Sequence, residues 1–128
     1  MRPHPQKRWV VRNVPLEAGD LYWAELDGYQ GTEQGGRRPV MIVSERFYND
    51  RSNRVIVCPI SSRERGWKTE VKLSQDLPVK GVVLTDQIRA LDRQLRLFGF
   101  IARLSDENLA EVKNALGLIL GFQNTHDL

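Results

Sequence analysis

Cysteine and histidine are scarce in this 128-residue chain: one Cys and two His. The lone Cys58 excludes an intrachain disulfide and suits a reducing cytoplasm. It stands inside an apolar stretch, which favours a buried structural thiol over a nucleophile. His4 and His126 lie at opposite ends of the chain, so no cluster with metal-ligand spacing exists and no metal is expected. Phosphate-binding loops are also missing. GTEQGG at 31–36 has neither GxGxxG nor Walker spacing and leads into a strand, so no nucleotide cofactor, and no cofactor of any kind, is expected. No apolar run is long enough to cross a bilayer, and the basic N-terminus has no apolar segment of signal-peptide length. Cytoplasmic residence without membrane attachment is the expectation. Internal repeats and low-complexity tracts are absent too. The charge balance, 19 Lys and Arg against 16 Asp and Glu, gives net +3, which suits a polyanionic partner without demanding one.

What is present is enough for one core: 41% of the residues are hydrophobic. Residues 1–18, rich in proline and basic side chains, read as a flexible basic arm, with Trp9 either docked on the body or free to stack a base. Residues 19–128 read as one domain. A first strand is expected over 19–26 and a second over 38–44, followed by a turn cluster over 46–53. A third strand falls at 54–61, a short fourth at 69–73 and a fifth at 81–89. Residues 92–94 suggest a helical turn before a last strand within 95–104. The final segment alone is clearly helical: Ser105 caps it, Asp106 and Glu107 suit the positive end of its dipole, and Gly121 ends it. Its stripe of Leu109, Val112, Leu116, Ile119 and Leu120 is expected to pack on the sheet. Many short strands closed by one helix imply a mainly β fold, a small, strongly curved antiparallel sheet or barrel.

Polar residues at the ends of apolar strands are the candidates for chemistry. Arg38 follows a glycine-studded loop (Gly31, Gly35, Gly36), and Pro39 holds it extended at the root of the second strand. It is either a guanidinium aimed at an anion or one of two surface arginines, with Arg37, in an ordinary turn. Ser61 and Ser62 end the third strand, where Ser61 either bonds a neighbouring backbone or takes part in a reaction. Asp86, with Thr85 in the fifth strand, is either an ion-pair partner for Arg89 or a polar group with work to do.

The runs GDLYWAEL, GTEQGGRRPVMIVS, VIVCPISS, GVVLTDQIRALDR and LSDENLAEVKNALGLILG together resemble the MazF/PemK family of toxin endoribonucleases, from about Gly19 to Gly121. The resemblance implies a small SH3-like barrel of the CcdB/PemK type, a homodimer, and a cognate antitoxin. It also implies metal-independent, sequence-specific cleavage of single-stranded RNA, which inhibits translation until the antitoxin neutralises the toxin. Arg38 matches the family's catalytic arginine, and Ser61 falls where the family usually has threonine. Glu33 matches the loop glutamate, and Asp86 an aspartate used by some members. Those members carry an arginine two residues earlier, where this chain has Leu84, and the histidine some relatives place near the first strand is missing from 21–26.

Cleavage by 2′-hydroxyl attack would leave a 2′,3′-cyclic phosphate and a 5′-hydroxyl. The expected RNA-binding residues are Arg37, Ser62, Arg63, Arg65, Trp67, Lys68 and Gln87, with Trp67 and the basic side chains either stacking bases or forming a solvated loop. The same barrel leaves two alternatives: a CcdB-like toxin that binds gyrase, and an RNA-binding module that does not cleave.

Overall fold

The computed structural model describes residues 14–26 and 36–123. The strands are β1 (Asp20–Leu26), β2 (Gly36–Ile42), β3 (Arg54–Ser61), β4 (Glu70–Lys72), β5 (Val82–Leu84), β6 (Arg89–Asp92) and β7 (Leu97–Arg103). Among the described residues the helices are α1 (Arg46–Asn49), α2 (Arg93–Arg96) and α3 (Asp106–Leu120), the last following β7. All seven strands form one antiparallel sheet in the order β4-β5-β3-β2-β1-β7, with β6 added on β3. The expected barrel is thus a curved sheet in which β4 and β7 end the path without pairing to each other.

Both faces of the sheet are buried. Strand alternation sends Tyr22, Ala24, Val40, Ile42 and Val57 to one core, closed by Leu16, Leu91 and Leu97. Leu21, Met41, Cys58 and Ile60 go to the other, beneath Val112 and Leu116 of α3. The helix has the ends its sequence signals. Ser105 accepts from Asn108 N at 3.1 Å, and Gly121 takes φ 82° beyond the last turn. Its apolar stripe is only partly covered, because Ile119 and Leu120 in the last turn remain 42% and 49% exposed.

The expected fifth strand over 81–89 is broken in two by a 3₁₀ turn, Thr85–Gln87. The cause lies across the sheet. Ile56 O accepts from Val43 N at 2.9 Å, so even-numbered residues of β3 face β2 and odd-numbered ones face β5 and β6. Pro59 therefore lacks an N–H on that outer edge, so the β6 ladder stops at Val57 and pairing resumes only at Ile60, with β5 in a shifted register. The helical turn expected at 92–94 falls at α2, one residue later, because Asp92 is its cap and accepts from Gln94 N and Leu95 N at 2.9 and 3.0 Å. Residues 14–18, assigned to the arm by sequence, belong to the packed body. Leu16 is fully buried, and its carbonyl accepts from Asn49 Nδ2 at 2.8 Å. The rest of the arm, Trp9 included, lies outside the described residues.

Candidate active site

Val40 of β2 pairs with Pro59 of β3. Continued by two residues, that register sets Arg38 across from Ser61, and alternation puts both on the face of Val40 and Val57, where the apolar core gives way to polar side chains. Arg38 is half-buried and Ser61 is buried. The Ser61 hydroxyl accepts from Arg63 N at 3.1 Å, so the serine is tied to the loop that follows it. Gly81 passes directly behind. It has φ +131°, and a Cβ there would stand 2.0 Å from Ser61 O, so only glycine lets β5 approach this end of β3.

Arg37 is not brought to that face. It turns to the opposite side of β2, with its Nε 4.0 Å from Glu25 Oε1 and its guanidinium 4.3 Å above the Phe98 ring. Adjacent strand residues point to opposite faces, so the two arginines cannot share one groove wall.

The loop after Ser61 carries Ser62, Arg63 and Lys68 exposed, and Trp67 52% exposed. The Arg65 guanidinium lies 5.3 Å from the Trp67 ring centre. Glu70, the first residue of β4, fixes the loop from within: its Oε1 accepts from Arg65 N at 2.9 Å and from Gly66 N at 3.0 Å. Its own N donates to Trp67 O at 3.0 Å.

Asp86 stands exposed in the 3₁₀ turn, not on a strand, and Gln87 beside it is half-buried. Thr85 is buried, with its N and Oγ1 both donating to Thr69 O, so the turn is moored to the segment entering β4. Burial pushes the Cys58 thiol up to about 12, and the nearby Asp86 charge adds to the shift. Cys58 is therefore an un-ionised core residue at neutral pH, as its apolar strand suggests. Glu33 lies outside the described residues. Among the described residues, no group of three His, Cys, Asp or Glu side chains is placed to hold a metal ion, and no helix is long and apolar enough to cross a membrane.

Residues 17–120 match the family described as PemK-like, MazF-like toxin of type II toxin-antitoxin system. The chain belongs to that family. Among its relatives, Endoribonuclease MazF of Staphylococcus saprophyticus is 40% identical over 111 residues, 83% of this chain and 92% of that protein. Of solved structures, MazF (Form-I) from Deinococcus radiodurans matches with a TM-score of 0.77 at 40% identity, covering 85% of this chain and 99% of that one. MazF in the MazE-MazF complex (Form-II) of the same organism matches with a TM-score of 0.73 at 37% identity, over 85% and 98%.

The MazF-like fold thus brings Arg38, Ser61 and the 62–68 loop to one end of the sheet. Two residues that serve this end escaped the sequence. Glu70 reads only as part of an alternating strand, although a carboxylate shortly after a Gly-Trp turn is a signal for capping loop amides. Gly81 reads as a turn glycine, and nothing local reveals that Ser61 O lies against it.

Proposed function

We propose that this MazF-family chain is a metal-independent endoribonuclease toxin that cuts single-stranded RNA at short sequence motifs and thereby blocks translation. It acts as a homodimer and is neutralised by a cognate antitoxin; the chain's likeness to MazF solved with MazE supports that partner. The observation that carries the reading is the antiparallel β2–β3 pairing, whose register, continued by two residues, sets Arg38 across from Ser61, inside a family match that spans both strands.

The 2′-hydroxyl of RNA attacks the adjacent phosphorus, a P–O2′ bond forms, and the P–O5′ bond breaks. A base takes the 2′-hydroxyl proton, and the departing 5′-oxygen gains one. Arg38 clamps the non-bridging oxygens as charge builds on the phosphorane, the role its permanently cationic fork suits. The Ser61 hydroxyl holds a phosphate oxygen or relays a proton. Asp86 and Glu33 are the carboxylates for the base, because an arginine does not readily give up its proton. Ser62, Arg63, Arg65, Trp67, Lys68 and Gln87 grip the strand, with Trp67 and the Arg65 guanidinium offering flat surfaces to unstacked bases.

The test is cleavage of a long mixed-sequence RNA in EDTA by the wild-type protein, with every new end mapped. Recurrent cuts at one motif, carrying 2′,3′-cyclic phosphate and 5′-hydroxyl ends, are expected. A 5′-phosphate product, or no cleavage without added metal, would overturn the mechanism.

A further inference from the structure

The amides of Arg65 and Gly66 converge on one oxygen, Glu70 Oε1, at 2.9 and 3.0 Å, with Gly66 in the left-handed region at φ +79°. Consecutive amides pointing into one hollow form an anion-binding nest, and in a loop built to receive RNA such a nest would accept a phosphate. Here the protein's own carboxylate fills it. The backbone bond from Glu70 N to Trp67 O closes the same loop from its other side. Arg63 N, bonded to Ser61 Oγ, anchors the start of the loop to the candidate catalytic serine.

These ties hold the backbone and leave the reading side chains outward: Trp67 is 52% exposed with the Arg65 guanidinium 5.3 Å from its ring. Among the described residues Glu70 Oε2 is buried without a hydrogen bond, so this carboxylate is not arranged for the greatest gain in stability. We propose that Glu70 is a positioning residue that sets RNA affinity and cleavage-site choice by occupying the Arg65–Gly66 nest, an inference that rests on the ribonuclease reading above.

With the nest filled, the loop meets RNA already shaped, and its amides are closed to phosphates of any sequence. Without Glu70 the loop must be ordered on binding, and the open amides take phosphate regardless of the bases beside it. The chemistry at Arg38 and Ser61 is untouched.

Steady-state cleavage of a motif-containing RNA, together with cut-site maps on a mixed-sequence RNA, tests this. Glu70→Ala is expected to raise KM for the motif RNA about tenfold while kcat stays within about twofold, and to add cuts outside the motif. Trp67→Ala should raise KM similarly, and the double variant no further than either single one, since both act through one loop. Glu70→Gln keeps an acceptor oxygen for the two amides and should restore KM to within about threefold of wild type. A fall in kcat with KM unchanged, additive effects of the two alanine changes, or a Glu70→Gln variant as impaired as Glu70→Ala would each overturn the proposal. If the wild-type protein neither cuts nor binds RNA, the ribonuclease reading and this inference fall together. If it cuts RNA and Glu70→Ala keeps the wild-type KM and cut-site map, this inference alone falls.

Discussion

Two polar clusters sit in different parts of this sheet, and they are organised in opposite senses. At the corner between α1 and α2, Asn49 is wholly buried. It donates to Leu16 O and Ser44 O at 2.8 and 2.9 Å and accepts from Ser44 Oγ at 2.5 Å. Arg93 reaches Asn49 O at 2.6 Å and Val14 O at 2.8 Å. In the 62–68 loop the bonds are made by backbone amides, and the long side chains of Arg63, Trp67 and Lys68 face solvent. A cluster whose polar ends meet inside holds the fold together. One that spends its bonds on its own backbone while presenting side chains outward is prepared for a ligand.

Substitutions that cross the two regions sharpen the contrast. The largest effect on activity belongs to Arg38→Ala, expected to lower kcat/KM for RNA by about 10²–10³ with unfolding free energy changed by no more than about 0.5 kcal/mol. Parallel cleavage assays and denaturant melts check both halves. Asn49→Ala reverses the pattern. It strands two carbonyls and removes the Ser44 hydroxyl's shorter bond, and should cost about 3 kcal/mol of stability, while kcat/KM at a temperature where the variant stays folded remains within about twofold of wild type. Equal losses in both assays for either variant would dissolve the distinction.

Smaller still is a pH effect at Asp20. Burial raises its carboxyl above the usual 3.8, against the opposing pull of the Glu17 amide and the Arg103 guanidinium. The folded state therefore binds the proton more tightly than the unfolded chain. The ionised carboxylate's penalty is fully present above the folded pKa and gone below 3.8. Wild type should thus gain stability relative to Asp20→Asn as pH falls toward about 4, read from denaturant midpoints at a series of pH values. The reverse slope would mean that Arg103 dominates. At the bottom of the scale, a thiol reagent at neutral pH should leave Cys58 unmodified in the native protein and label it in denaturant, because the thiol is buried and pushed up to about 12.

Legibility in the sequence followed the range of the forces involved. β3 has the limits its β-branched run announces, and α3 starts and stops where Ser105 and Gly121 place it. Those are local signals. The break between β5 and β6 was hidden because its cause, Pro59, acts on a neighbour across the sheet. Arg38 as the catalytic candidate and Arg37 as an RNA-binding one are both expected at the site from sequence, although strand alternation alone separates them. Phe98, which lies under the Arg37 guanidinium, comes from β7, and placing Arg38 opposite Ser61 of β3 needed the β2–β3 register. Glu70 was invisible as a loop support for a similar reason: a strand residue gives no sign in sequence that its side chain turns back to collect two amides.

Gly81 carries one more consequence, for variation among sequences of this kind. With a Cβ there destined to lie 2.0 Å from Ser61 O, every alternative residue at position 81 moves the strand end on which the candidate nucleic-acid chemistry depends. A saturation scan should find this position intolerant in assays of folding and of cleavage alike. Position 38 should be intolerant only where cleavage is scored. Among the described residues at this end of the molecule, the exposed 62–68 loop is where sequence change meets the least resistance from the scaffold.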